Sequence, residues 1–369
     1  MKAVALVGGQ GTRLRPLTFR TPKPLLPLVN RPLLEFVVER CKRNEISDLV
    51  LSTNYLPDLF RVALGDSLFG VEIEYIHELD ALGTAGGVKN CEGAVDGTFY
   101  VFNGDVLTGL DLVRMLEFHR SKGAAVTLYL TPVEDPRAYG VVPLDDDGRV
   151  TAFIEKPSLA DAPTNMINGG VYIIEPEILA EIPRDEPYSF ERQLFPDLVA
   201  GGAPIYGYES DAYWIDIGTP EKYLQAHLDV LTGALQAEIP GEEITPGVWV
   251  AGGVEIDEGA SVTAPAVIGD GTRVEAGARL EGPVSIGAGC VIGANTSITR
   301  SALADGVEIG RSCTIENALI GEASVVEQEC TIAELAVVGP GASISEGNEL
   351  RRGMRVWPDV EVGPSSIQF

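Results

Sequence analysis

From residue 244 to the C-terminus, an aliphatic residue returns at every sixth position: Ile244, Val250, Ile256, Val262, Ile268, Val274, Leu280, Ile286, Ile292 and Ile298. The register slips by one residue to Leu303, Ile309 and Ile315, slips again to Ile320, and then runs Val326, Ile332, Val338, Ile344, Leu350, Val356 and Val362. Neither the 3.6-residue turn of an α-helix nor the simple alternation of an open strand produces a period of six. Each hexad instead reads as one flat face of a parallel β-helix, its aliphatic residue pointing inward and glycine or small residues permitting the turn. Three faces close a coil, so the stretch is expected to build about six or seven coils. Lysine and histidine are absent from it.

The preceding residues have a different texture. Short apolar runs at Lys2 to Val7, Asp48 to Thr53, Val71 to Ile76, Phe99 to Asn103 and Ala125 to Leu130 alternate with helical patterns, which is how a mostly parallel sheet covered by helices reads. Pro32 to Asn44 carries apolar residues at helical spacing with proline in its first turn, and Leu110 to Lys122 repeats the pattern and stops at Gly123. The expected domains are 1–232 and 244–369. Segment 229–245, with Gly233, Pro240 and Gly241, is the expected hinge.

Charge narrows the partners. With 54 acidic against 27 basic residues the net charge is −27, an average surface unsuited to nucleic acid or an anionic membrane. No stretch approaches the ~20 consecutive apolar residues of a membrane span. The opening strand breaks at Gly8-Gly9, too early for a secretory segment, so the cytoplasm is the default. Five scattered cysteines without a C-x-x-C pair suggest buried thiols rather than disulfides or zinc. Only seven of the basic residues are lysines; with the acidic excess, this reads as the composition of a high-salt, haloarchaeal-type cytoplasm, the alternative being an ordinary acidic surface. Residues 1–34 break the rule: they hold Lys2, Arg13, Arg15, Arg20, Lys23 and Arg31 and no acidic residue. A local charge of +6 is the place to expect an anionic ligand.

Within that stretch Gly8-Gly9-Gln10-Gly11-Thr12-Arg13 follows the first strand directly, where α/β folds present backbone amides to phosphates. The spelling is neither G-x-G-x-x-G nor G-x-x-x-x-G-K-[ST], which weakens dinucleotide and P-loop readings. It continues through Leu14-Arg15-Pro16-Leu17-Thr18 to Thr21-Pro22-Lys23-Pro24-Leu25-Leu26-Pro27-Leu28. Five more segments follow in order: Leu82-Gly83-Thr84-Ala85-Gly86, Asn103-Gly104-Asp105, Tyr139-Gly140-Val141 with Glu155-Lys156-Pro157, Asn168-Gly169-Gly170-Val171-Tyr172, and Trp214-Ile215-Asp216-Ile217-Gly218-Thr219-Pro220. The ordered set resembles the sugar-phosphate nucleotidyltransferases, and among them most closely the mannose-1-phosphate guanylyltransferases with a hexapeptide-repeat tail, including an ending like Val356-Trp357-Pro358.

The resemblance implies a Rossmann-like nucleotidyltransferase domain with a mostly parallel sheet, followed by a left-handed parallel β-helix. It implies transfer of a nucleotidyl group from an NTP to a sugar 1-phosphate with release of pyrophosphate, GTP and mannose 1-phosphate being the best match. Thymidylyl- or uridylyltransferases of glucose 1-phosphate, or a noncatalytic regulatory or assembly subunit on the same plan, remain alternatives. Arg13, a planar donor fork, suits the β- and γ-phosphates and the departing pyrophosphate, and Lys23, a point charge, suits the α-phosphate. Leu6, Gly8, Gly9, Gly11, Thr12, Gly83, Thr84 and Gly86 would line the nucleotide. Asp105 and Asp216, each at a strand pattern, would hold Mg²⁺ between the substrates. Lys156 would hold the sugar phosphate, Glu155 the sugar hydroxyls, with Gly140, Asn168 and Gly170 lining the pocket. His77, His119 and His227 lie outside every motif, so imidazole catalysis and an acetyltransferase tail have no support. The tail is expected to pack against the catalytic domain, to mediate homo-oligomerisation, or both.

Overall fold

The computed structural model describes all 369 residues, Met1–Phe369, as two compact units. One comprises Met1–Gly9 with Leu34–Asp216, the other Gln10–Leu33 with Ile217–Phe369. No helix is long and apolar enough to cross a membrane.

The first unit is built on a ten-stranded mixed sheet. At its centre Phe99–Asn103, Lys2–Leu6, Asp48–Thr53 and Val71–His77 run parallel in that spatial order. The three inner strands are covered on both faces and are therefore apolar along most of their length, with Ala3, Val4, Ala5, Leu49, Leu51, Phe99 and Val101 fully buried, whereas Val71–His77 alternates, with Glu72 and Glu74 exposed. Met166–Ile174 adds antiparallel to Phe99–Asn103, then pairs with Val126–Pro132, which carries Ile205–Glu209 in parallel. The helix Leu33–Arg43 covers the first crossover. The helix Leu112–Lys122 starts where Asp111 accepts a 3.0 Å bond from the Arg114 amide, and stops at Gly123 in the left-handed conformation. These strands and helices lie within a residue or two of their predicted positions.

The predicted β-helix forms the bulk of the second unit. Its strands sort into three parallel sheets, one per face. Val248, Ala266 and Val284 stack at 18-residue intervals. The two register slips in the sequence are two shortened coils, in which Ile286 pairs with Leu303 and Leu303 with Ile320. From Ile268 to Val356 the aliphatic positions are buried in one continuous core, each contributing about 1.5–3 kcal/mol of apolar burial.

The first position of the repeat departs from this pattern. Ile244 lies in Glu242–Thr245, a strand that pairs antiparallel with Val248–Val250, and its side chain is 52% exposed. It belongs to a hairpin that caps the solenoid, so it has no inward face to occupy. Val250, Ile256 and Val262 in the first coil are only half-buried, because no coil lies beneath them.

The same unit contains the basic segment Gln10–Leu33. Two single-turn 3₁₀ helices, Thr12–Leu14 and Lys23–Leu25, lead into a hairpin of Pro27–Leu28 and Arg31–Pro32. Val29 and Asn30 at its tip both have positive φ, 44° and 66°. The tip is held by the Val29 amide donating to His227 Nδ1 at 3.2 Å and by Asn30 Nδ2 donating to the Ile286 carbonyl at 2.7 Å. His227 lies on the helix Pro220–Leu231, which packs against the strand Val284–Ile286.

Candidate functional site

In the first unit the chain order reverses at the strand Lys2–Leu6, whose neighbours are Asp48–Thr53 on one side and Phe99–Asn103 on the other. Parallel sheets bind ligands outside the carboxyl ends of strands at such a switch point. Leu6 pairs there with Ser52 and Asn103, so Gly8-Gly9 and Gly104-Asp105 leave the sheet side by side. The Gly104 amide donates to the Leu6 carbonyl at 3.0 Å, and a Cβ at Gly104 would lie 2.7 Å from that oxygen. A Cβ at Gly8 would come within 3.0 Å of Asn54 Cβ. Gly104 is thus demanded by close backbone approach, while a side chain at Gly8 would require Asn54 to give by a few tenths of an ångström.

Asp105 and Asp216 are brought together by a second, two-stranded sheet. Val106–Thr108 pairs antiparallel with Trp214–Asp216, and Asp216 stands opposite Val106, the residue after Asp105. Both carboxylates are partly exposed. Beside them, the side-chain oxygen Oδ1 of Asn103 is buried without a hydrogen-bond partner. Two carboxylates and an unsatisfied acceptor are a donor set for a hard divalent cation that takes its remaining ligands from phosphate and water. The residues present therefore fit such an ion. No group of three or more His, Cys, Asp or Glu side chains forms a metal cage.

Asn168, Gly169 and Gly170 occupy an irregularity in the strand Met166–Ile174, where the register with Val126–Pro132 shifts between Asn168 and Tyr172. Gly170, at φ 73°, lies where a Cβ would meet Asn103 Nδ2 at 2.8 Å. The Gly169 carbonyl accepts from Trp214 Nε1 at 2.9 Å. Asn168 Oδ1 accepts from the Gly170 amide at 3.1 Å, and its Nδ2 donates to the Tyr172 hydroxyl at 2.8 Å. Burial raises the Tyr172 pKa well above the usual phenol value, so the hydroxyl stays protonated. This bulge gathers three of the predicted segments, Asn103–Asp105, Asn168–Gly170 and Trp214–Asp216, around one point.

Gly140 pairs with Glu155, and a Cβ there would meet the Phe153 ring at 2.5 Å. Lys156 is exposed, 3.5 Å from the Glu155 carboxylate, and its amide donates to the Tyr139 carbonyl at 2.9 Å. Its φ of 50° is unusual for a side chain with a Cβ. An exposed pair at this distance adds little stability, so both groups remain available to a ligand.

The helix Gly83–Asn90 gives its glycines a packing reason in addition to the expected one. A Cβ at Gly83 would meet the Tyr188 carbonyl at 2.8 Å, and one at Gly86 the Glu186 carbonyl at 3.0 Å. The Thr84 hydroxyl donates to Glu191 at 3.0 Å and accepts from the Phe190 amide at 2.9 Å. Glu78, unremarked in the sequence, is buried below the helix start: Ser52 Oγ donates to it at 2.6 Å and the Leu82 amide at 3.0 Å. A lone acidic residue outside every motif carries no signal of this kind. Asn103 stood inside a motif, but its orphaned oxygen is visible only in three dimensions.

In the second unit Gly11 joins the two predicted cations. It is left-handed at φ 59°, and a Cβ there would meet Lys23 Cβ and Thr18 Cγ2, each at 3.1 Å. Its carbonyl accepts from the Thr18 hydroxyl at 2.8 Å and from the Leu14 amide at 2.9 Å. Thr12 and Arg13 are left exposed on the 3₁₀ turn, while the Lys23 side chain is buried. Two of the three histidines are buried in structural roles. His119 bonds Thr127 at 2.8 Å and Glu175 at 3.0 Å in the first unit, and burial lowers the His227 pKa to about 3. All five cysteines are buried and unpaired.

Comparison with known proteins places this geometry in context. Residues 2–233 match the nucleotidyl transferase family model, and residues 246–350 match the model of the EIF2B subunit epsilon LbH domain. The chain is 40% identical over 381 residues to mannose-1-phosphate guanylyltransferase of Mycobacterium tuberculosis, covering 100% of this chain and 97% of that protein. It is 35% identical to a UTP–glucose-1-phosphate uridylyltransferase of Synechocystis, covering 73% and 78% of the two chains. Among solved structures, HddC from Yersinia pseudotuberculosis in complex with GMP-PN superposes with a TM-score of 0.54 at 29% identity, covering 61% of this chain and 97% of that one.

Proposed function

Since the chain belongs to the nucleotidyl transferase family and transfers a nucleotidyl group to a sugar phosphate, we propose that its donor is GTP and its acceptor mannose 1-phosphate. The 40% identity to a mannose-1-phosphate guanylyltransferase over the whole chain carries this reading. The superposition on a protein crystallised with GMP-PN supports a guanine nucleotide.

In this reaction a phosphate oxygen of the sugar 1-phosphate attacks the α-phosphorus of the nucleotide. The bond to the β-phosphate oxygen breaks, and pyrophosphate leaves. Two multiply charged anions must meet, so the protein contributes positioning and charge neutralisation rather than a covalent intermediate. Arg13 offers a donor fork to the β- and γ-phosphates and to the departing pyrophosphate; Lys23 places a point charge at the α-phosphate. Leu6, Gly8, Gly9, Gly11 and Thr12 cradle the nucleotide through backbone and small side chains, and Gly83, Thr84 and Gly86 lie toward its base. Lys156 holds the acceptor phosphate, with Glu155, Gly140, Asn168 and Gly170 at the sugar. Asp105 and Asp216 hold a divalent cation, which we take to be Mg²⁺; when bound, it supplies charge neutralisation between the two phosphate groups. The working setting is a cytoplasm rich in salt and the working form a homo-oligomer, readable by light scattering.

The deciding experiment incubates the purified protein at high KCl with each NTP and a panel of sugar 1-phosphates and follows pyrophosphate. GTP with mannose 1-phosphate is expected to give the highest kcat/KM. Preference for UTP or dTTP with glucose 1-phosphate would move the assignment to that substrate pair. Nucleotide binding without pyrophosphate release from any pair would sink the catalytic reading and favour an assembly subunit.

A further inference from the structure

The turn that carries Arg13 is fastened to the far end of the β-helix. Arg355 Nη1, on the strand Arg355–Val356, donates to the Arg13 carbonyl at 3.0 Å and to the Arg15 carbonyl at 2.8 Å. Two residues on, Trp357 meets Phe19 edge-on with ring centroids 5.1 Å apart, and two further on Asp359 forms an ion pair with Arg20. Arg15 closes the cluster by stacking its guanidinium 4.8 Å from the Phe19 centroid. One coil earlier, a Cβ at Gly339 would lie 2.8 Å from the Pro358 nitrogen and the Val356 carbonyl and 3.0 Å from Pro16 Cβ, so coil stacking requires the glycine and Pro16 rests close against it. Five residues of the basic segment, Arg13, Arg15, Pro16, Phe19 and Arg20, therefore rest on the last two coils. A solenoid serving only as a spacer or an oligomerisation element has no need for donors aimed at the backbone of this turn.

We propose that Arg355 is a positioning residue: by holding the carbonyls of Arg13 and Arg15 it sets the direction of the Arg13 side chain, so the C-terminal coils take part in turnover from within the same chain. This rests on the role given to Arg13 in the proposed function. The physical basis is the steep dependence of catalysis on placement, in which a displacement of about 1 Å can cost about a hundredfold. A guanidinium that donates to two carbonyls removes the freedom that an exposed turn otherwise has, and charged donors form the stronger hydrogen bonds. The ion pair and ring contact at Arg20 and Phe19 fix the other end of the turn.

The test compares the full-length protein with Arg355→Met, which keeps the apolar stem and removes the donors, with Arg355→Lys, and with Arg352→Met. Arg352 lies over the Phe369 ring at 5.2 Å and serves as the control. Two readouts are taken. The first is hydrogen exchange of the amides of Leu14, Arg15 and Leu17, which close the turn through bonds of 2.9, 3.2 and 3.1 Å. The second is pyrophosphate release, resolved into kcat and KM. Arg355→Met is expected to speed exchange in this turn about tenfold while leaving the β-helix strands unchanged, and to lower kcat about tenfold with KM for the sugar phosphate within twofold. Arg355→Lys should recover part of both effects, and Arg352→Met should match the wild type. Exchange in the turn that is unaltered by Arg355→Met, or turnover that is unaltered or raised, overturns the proposal. Loosened exchange in a protein whose wild type shows no turnover refutes the functional reading while supporting the docking of the turn.

Discussion

Asp105 and Asp216 lie 111 positions apart in the chain, yet Asp216 stands directly opposite the neighbour of Asp105 in a two-stranded antiparallel sheet. The pairing of Val106–Thr108 with Trp214–Asp216 makes one site of two strand ends. It also makes a prediction about metal use. Asp105→Asn and Asp216→Asn should each lower kcat for pyrophosphate release by at least about a hundredfold, the scale of losing a preorganised electrostatic contact. Both variants should need more Mg²⁺ for half-maximal rate. Circular dichroism and melting curves should show both variants folded, so that the loss of rate reports on the site and not on the fold. A variant with normal rate and normal Mg²⁺ dependence removes that residue from the site.

Gly11→Ala tests the joint between the two cations. The residue sits at φ 59° with Lys23 and Thr18 atoms 3.1 Å from a prospective Cβ, so alanine incurs both left-handed strain and crowding. Strain of this kind costs about 1–3 kcal/mol. Thermal unfolding should show that loss, and the KM for nucleotide should rise as the Arg13 turn shifts. Wild-type stability and KM would show that the turn tolerates a side chain.

A pH dependence follows from His227. Burial lowers its pKa to about 3, whereas an unfolded histidine titrates near 6.5. Between those values the unfolded chain binds the extra proton, so stability falls as pH drops through that window, by about 1.4 kcal/mol per pH unit at most. Above pH 7 both states are neutral and the effect vanishes. Denaturant unfolding at pH 7.5 and pH 5 should show a smaller difference in His227→Gln than in the wild type. An identical difference would mean that other groups govern acid sensitivity.

Two isoleucines at equivalent positions of the repeat should behave oppositely. Ile298 is fully buried in the solenoid core and Ile244 is 52% exposed. Ile298→Ala should cost about 2–5 kcal/mol through lost burial and the cavity left behind, while Ile244→Ala should stay within about 0.5 kcal/mol. Urea titrations of the two variants make the comparison. Equal losses would contradict the hairpin at the start of the solenoid.

The charge of −27 predicts a salt response. Self-repulsion across an acidic surface destabilises the compact state and is screened by salt, so melting temperature should climb with KCl into the molar range. A melting temperature indifferent to KCl argues for an ordinary acidic surface.

Much of this molecule is legible in its sequence. The six-residue period announced a β-helix because an inward-facing position must recur wherever a coil turns, and even the two shortened coils showed as slips in register. Ile244 shows where that reasoning stops: periodicity reports which residues are apolar, and an antiparallel strand can satisfy the same spacing. The apolar runs of the parallel sheet were equally plain, since strands covered on both faces leave little room for polar residues.

Local charge and motif spelling marked Arg13 and Lys23, and motif spelling marked Asp105, Lys156 and Asp216, but neither placed any of them. Tertiary structure decided that Asp105 and Asp216 share one sheet end, that Asn103 leaves an unsatisfied oxygen beside them, and that the Arg13 turn hangs from Arg355. These are relations between residues far apart in sequence, made by strand pairing and coil stacking. Local composition cannot encode them, because a hydrogen-bond partner 342 positions away leaves no trace in the neighbourhood of either residue.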